Sequence, residues 1–124
     1  RCWNNGTTCG QIRNLSAGAT ATDGQRAQMM YEAISGDLLV VWSGNAADNI
    51  QYIVWNGSAF VNSGTVLGGA LVTTGTPNWF EMAQEPGTNN ISIAYKTSTP
   101  QVGTFSYIGS SNSFGFLHHL TNQQ

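Results

Sequence analysis

A block of this chain returns after about fifty residues, and such a recurrence restricts the fold more than any single residue does. Met30-Tyr31-Glu32-Ala33 leads through Ser35-Gly36-Asp37 into Leu38-Leu39-Val40-Val41-Trp42. Met82-Ala83-Gln84-Glu85 leads through Pro86-Gly87-Thr88-Asn89 into Ile91-Ser92-Ile93-Ala94-Tyr95. A second landmark keeps the beat: Trp3-Asn4-Asn5-Gly6, Trp55-Asn56-Gly57-Ser58 and Tyr107-Ile108-Gly109-Ser110 follow one another at intervals of 52 residues. Periods of this order mark supersecondary units that cannot bury their apolar faces alone and do so against each other.

Each unit reads as strands. Ile50, Tyr52 and Val54 alternate with Gln51, Ile53 and Trp55, and Ile91, Ile93 and Tyr95 alternate with Ser92, Ala94 and Lys96, the period of a half-buried strand. Phe105 and Tyr107 alternate with Thr104 and Ser106 in the same way, and Leu38 to Trp42 is apolar on both faces, as in a strand covered on both sides. Gln25–Ile34 and Phe80–Glu85 carry good helix formers. Ser-Gly-Asp and Pro-Gly bound them too tightly for more than about two turns, so both are read as strands, burial overriding a weak preference. Asn56-Gly57 predicts a type I′ turn pairing Tyr52–Trp55 with Ser58–Val61. Trp42 and Tyr95, at matching places, are expected in the core, and Glu32 and Glu81 at nearly equivalent positions.

The expected architecture is therefore all-β: two repeated four-stranded antiparallel sheets packed face to face, with consecutive propeller blades as the alternative. Residues 1–124 form one domain, with repeats at roughly 3–54 and 55–106 and an apolar C-terminal strand over 107–124.

Charge narrows the partners. Only 8% of residues are charged, far below the roughly 25% of ordinary domains, and Gly, Ser, Thr, Asn and Gln fill the gap. Arg1, Arg13, Arg26 and Lys96 are scattered singly, without the basic stripe that nucleic acid requires or a polybasic face for anionic lipid. No apolar run approaches the ~20 residues of a membrane span. We expect neither nucleic acid nor membrane insertion. Cys2 and Cys9 can close a small loop with ordinary disulfide geometry, and a disulfide there implies an oxidising compartment. Sequons at Asn5, Asn14, Asn56 and Asn90 agree with secretion and are candidate glycosylation sites.

Catalytic signals are weak. The carboxylates are Asp23, Glu32, Asp37, Asp48, Glu81 and Glu85, with no pattern that sets two across a cleft. His118 and His119 are neighbours, so on a strand they point to opposite faces and do not chelate one ion together. Asp37, Asp48 and Asn49 border turns, where such side chains commonly bond their own backbone rather than calcium. The serines lack a Gly-x-Ser-x-Gly elbow. We expect no enzyme activity, no metal and no cofactor.

The string Met30–Trp42 followed by Tyr52-Ile53-Val54-Trp55-Asn56-Gly57-Ser58-Ala59-Phe60 resembles the tandem repeats of large secreted prokaryotic surface proteins, propeller-like or adhesin-like, in which a "YE..SGD.LVV" strand pair precedes a "W-D/N-G-S-x-W" hairpin. Trp79–Asn89 resembles the alternate half-repeat, and the likeness spans about residues 27–108. Cys9 and Phe60 stand where the second tryptophan is usual, and Tyr107-Ile108-Gly109 has lost the Trp-Asn, as in terminal or diverged repeats. The resemblance implies a non-enzymatic surface or adhesive module.

The expected function is a structural subunit of an extracellular fibre or cell-surface array, its own copies being the partners, joined head to tail through strand edges. Phe114, Phe116, Leu117 and Leu120, on an uncharged β-prone stretch at the end of the chain, are the expected interface. The alternative is a carbohydrate-binding module stacking glycans on Trp3 and Trp55, which flank hairpin turns.

Overall fold

The computed structural model describes residues 26–44, 50–66, 75–99 and 101–120, excepting the side chains of 116, 117, 119 and 120. Its strands are β1 (Ala27–Tyr31), β2 (Leu38–Ser43), β3 (Ile50–Trp55), β4 (Phe60–Thr65), β5 (Pro77–Gln84), β6 (Asn90–Thr97), β7 (Val102–Ile108) and β8 (Ser113–Leu120), with a 3-10 turn at Gly109–Ser111. They form two antiparallel meanders, β1-β2-β3-β4 and β5-β6-β7-β8, packed face to face, with β1 running close to β5. The fold is all-β. Neither sheet closes on itself.

Within the helix-prone segments the structure forms strands, over Ala27–Tyr31 and Pro77–Gln84. On β5, Phe80 is buried and Met82 partly so, while Trp79, Glu81 and Ala83 face outward. That period-two split decides against a helix. The hairpin after Trp55 differs from expectation. Trp55 pairs with Phe60, not Ser58. Asn56, instead of opening a two-residue turn, uses its Oδ1 to accept the backbone N–H groups of Ser58 at 3.1 Å and Ala59 at 2.9 Å, an Asx-type cap on a longer loop. Gly57, at φ 90°, supplies the positive angle.

Backbone pairing sets the repeat equivalence. The N–H of Glu32 bonds the carbonyl of Asp37 across one turn, and that of Glu85 bonds Asn90 across the other. Glu32 therefore corresponds to Glu85, not to Glu81, and the offset through this hairpin is 53 residues. One residue matters here, because in a strand it exchanges the two faces. Leu39 and Val41 correspond to Ser92 and Ala94, whereas Leu38, Val40 and Trp42 correspond to Ile91, Ile93 and Tyr95. The core joins Leu39, Val41, Ile50 and Val54 of the first sheet, with Val66 just past β4, to Phe80, Ile91, Ile93, Tyr95, Phe105 and Tyr107 of the second. The back of the first sheet thus lies on the front of the second. The sheets stack in the same sense, like consecutive blades.

This explains why Trp42 departs from its matched residue. Tyr95 sits in the shared core, while Trp42 is half-buried on the front of the first sheet, beside buried Val40 and Ile53 and exposed Met29. Equivalent aromatic pairs recur at the hairpin ends: Trp55 with Phe60 at 4.8 Å, and Tyr107 with Phe114 at 5.2 Å between ring centroids. Among the described residues no helix is long and apolar enough to cross a membrane.

Candidate functional site

Two places combine polar chemistry with shape: the turn end of the stack, and the outer face of the second sheet.

At the turn end, each β-hairpin is fastened by the same device. Ser35 Oγ donates to Glu32 Oε2 at 2.7 Å and accepts the N–H of Asp37 at 3.2 Å. In the second sheet, Thr88 Oγ1 donates to Glu85 Oε2 at 3.1 Å and accepts the N–H of Asn90 at 3.0 Å. A carboxylate, a hydroxyl three residues on and a backbone donor two further therefore lock both turns. Their surroundings differ. The second sheet covers Glu32, which is 4% exposed, whereas Glu85 stands in solvent and gains a further donor, Asn90 Nδ2, at 2.7 Å. Losing a hydrogen bond to a buried charge costs more than losing one that water replaces. Ser35→Ala is accordingly expected to cost about 1–3 kcal/mol and Thr88→Ala less than about 1 kcal/mol, read as shifts in urea midpoint. Equal losses in the two variants would remove the burial argument.

Asparagines tie the sheets together here. Asn89 Oδ1 accepts the N–H groups of Ile34 at 2.9 Å and Ser35 at 3.1 Å, bridging the two turns. Tyr107 donates to Asn112 Oδ1 at 2.7 Å, Asn62 Nδ2 donates to the Asn112 carbonyl at 3.2 Å, and Tyr52 donates to Asn62 Oδ1 at 3.3 Å. Burial, with the Glu32 carboxylate adding to it, pushes the Tyr107 phenol far above its usual range. Gly109 closes the joint, since a Cβ there would run into Asn89 and the Glu32 carboxylate. Glu32 Oε1 is buried in this cluster without a hydrogen-bond partner.

The outer face of the second sheet is different. A concavity of about 530 Å³ is lined by Ala83, Gln84, Glu85, Asn90, Ser92, Ser106 and Ile108. Its floor is the row Ala83–Ser92–Ser106, equivalent to Met30–Leu39–Val54 in the first sheet, so smaller side chains have opened it. Two pairs further along β5 stands Trp79, 44% exposed, its indole N–H donating to Glu81 Oε1 at 3.2 Å. Glu81 and Glu85 share this face four residues apart, about 13 Å along a strand, too far for a glycosidase pair. Among the described residues no group of three His, Cys, Asp or Glu is placed to hold a metal ion.

The residues singled out from sequence scatter. Cys2, Trp3, Asn5, Cys9 and Asn14 lie outside the described residues. Trp55 is half-buried against Phe60 beside an exposed loop that carries Asn56. Asn90 is half-buried with its amide nitrogen bonded to Glu85. Phe114 turns inward, its ring 4.6 Å from Tyr52 and 5.8 Å from Phe105. Phe116, Leu117 and Leu120 are on β8, with their side chains outside the description, and His118 is exposed. Sequence reasoning preferred Trp3 and Trp55 to Trp79 and missed the Ser92–Ser106 floor. The signal was there, in Leu39 and Val54 giving way to serines, but it needed the 53-residue register to be seen. Compared with known proteins, the chain matches no family model, no curated protein and no solved structure.

Proposed function

We propose that this chain is a non-enzymatic structural subunit of an extracellular fibre or cell-surface array whose copies join head to tail through strand edges. The observation that carries the reading is the pair of open edges. The edge strands β4 and β8 have no further partner strand among the described residues. Along the eight residues of β8 there is no Lys, Arg, Asp, Glu or Pro, the residues that usually guard an edge. Same-sense stacking of repeats supports it further, because a repeated unit that packs back-to-front has no built-in end. Since Phe114 belongs to the core, the edge itself, rather than that ring, would make the contact. Electron microscopy and sedimentation of the native protein test it. Filaments are expected, and lysines at the edges (Val61→Lys with His118→Lys) should leave folded monomers. A chain that stays monomeric, or filaments that survive both lysines, would overturn edge assembly.

One observation favours the carbohydrate-binding alternative: exposed Trp79, its indole N–H bonded to Glu81, in the cross-strand row with Lys96 and Val102. It moves the stacking candidate away from Trp3 and Trp55. Binding on a glycan array that Trp79→Ala removes, in a chain that does not assemble, would make this the better reading.

A further inference from the structure

We infer that the outer face of the second sheet binds a neutral oligosaccharide, which stacks on Trp79 at one end and hydrogen-bonds in the concavity over Ser92 and Ser106 at the other. It rests on the reading of Trp79 as a stacking surface and is independent of edge assembly.

The face is open to solvent. Trp79, Glu81, Ala83, Ser92 and Lys96 are all exposed, whereas the front of the first sheet has Val40 and Ile53 buried. Trp79 pairs with Lys96 and Ala83 with Ser92, so the ring and the concavity share one face of β5 and β6. Between them Ala94 pairs with Thr104, so no large side chain of β6 or β7 stands in the way.

The polar atoms suit sugar hydroxyls. Ser92 and Ser106 are cross-strand partners, and among the described residues neither hydroxyl has a hydrogen-bond partner. Glu85 Oε2 accepts from Thr88 Oγ1 at 3.1 Å and from Asn90 Nδ2 at 2.7 Å, which fixes the carboxylate and leaves Oε1 to accept from a ligand. A group held in place beforehand costs less to order on binding. Ala83 and Ile108 add apolar surface for the C–H faces of a sugar ring. The Trp79 indole N–H is already bonded to Glu81, so what remains for a ligand is the ring itself.

Charge and distance set the class. The strands β5 and β6 and the turn joining them carry Glu81 and Glu85 against Lys96 alone, which disfavours an acidic sugar or a nucleic acid. A purely apolar ligand would strip water from the serines and Glu85 without replacing its hydrogen bonds. Trp79 and Ala83 stand four residues apart, about 13 Å along the strand, longer than one sugar ring. An oligosaccharide reaches both the tryptophan and the concavity of about 530 Å³, and a monosaccharide does not.

Isothermal titration calorimetry of the native protein tests it, with neutral tetrasaccharides of glucose, mannose, galactose and N-acetylglucosamine, their monosaccharides, and sialyllactose as the acidic control. At least one neutral tetrasaccharide should bind about tenfold tighter than its monosaccharide, and sialyllactose should not bind. Trp79→Ala should lower the tetrasaccharide to the monosaccharide's affinity. Ser92→Arg, which fills the concavity from an exposed position, should remove binding of both. Circular dichroism checks the fold of each variant. Silence across the neutral panel up to about 10 mM, or preference for sialyllactose, overturns the inference. Binding that Trp79→Ala removes and Ser92→Arg does not would leave Trp79 as a stacking surface and overturn the concavity. Both variants keep the β4 and β8 edges, so filaments should persist in sedimentation while sugar binding is lost. Filaments without sugar binding overturn the oligosaccharide site and leave the fibre; sugar binding by a chain that stays monomeric does the reverse.

Discussion

Phe105→Ala is expected to lower the free energy of unfolding by about 3–5 kcal/mol, a large part of the roughly 5–15 kcal/mol of a typical domain. Phe105 is 1% exposed at the centre of the second sheet's inner face, with Tyr95 at 5.9 Å and Phe114 at 5.8 Å between ring centroids. It lies opposite Ile93 on β6, and the back of the first sheet closes over it. Removing the ring loses its transfer energy and leaves a cavity that two fully paired sheets cannot collapse around. Phe60, half-buried beside Trp55 on the edge strand β4, is the control. Its alanine variant should cost about 1–2 kcal/mol. Urea unfolding with unchanged slope reads both. Similar midpoints for the two variants would mean that the sheets do not share the core described.

Gly103→Ala should be nearly as damaging, and Gly64→Ala close to neutral. Both glycines lie opposite a tyrosine on the neighbouring strand: Tyr95 across from Gly103, and Tyr52 across from Gly64. An aromatic ring laid over a strand glycine covers backbone that would otherwise be bare. At Gly103 a Cβ would meet the Tyr95 ring and hydroxyl well inside contact distance. Tyr95 is fully buried and has nowhere to go. At Gly64 the nearest atom, Tyr52 Cε1, is 3.4 Å away, and Tyr52 is only partly buried. We expect a loss of about 2–4 kcal/mol for the first variant and under about 0.5 kcal/mol for the second. A thermal melt separates them. A tolerated Gly103→Ala would mean that Tyr95 is not pinned as the core packing requires.

Strand content was legible because alternation is a local property. Ile91–Tyr95 and Thr104–Tyr107 each state which side chains share a face, and the turn chemistry at Pro86-Gly87 says where a strand stops. Even the helix-prone β1 and β5 could be assigned, since both sit between turns too close together for a helix. The loop after Trp55 was less legible. Asn-Gly predicts a two-residue turn, but the Asn56 side chain competed for the backbone donors and lengthened it. The repeat itself was visible, but its register was ambiguous. Aligning Met30 with Met82 is one residue away from the alignment the hydrogen bonds impose, and that single step exchanges inside and outside.

Local residue chemistry makes this a chain of β-strands in repeated units, with apolar faces at period two and few charged residues. These follow from side-chain chemistry within a few residues of each position. Which face of each sheet meets the other is set by the packing of the two sheets. Leu38 and Leu39 are equally apolar as letters, and only back-to-front stacking puts Leu39 in the shared core and leaves Leu38 half-covered on the front. The same stacking buries Glu32 and leaves its counterpart Glu85 beside an open concavity. Burial depends on contacts between residues about fifty positions apart, and no local pattern encodes them.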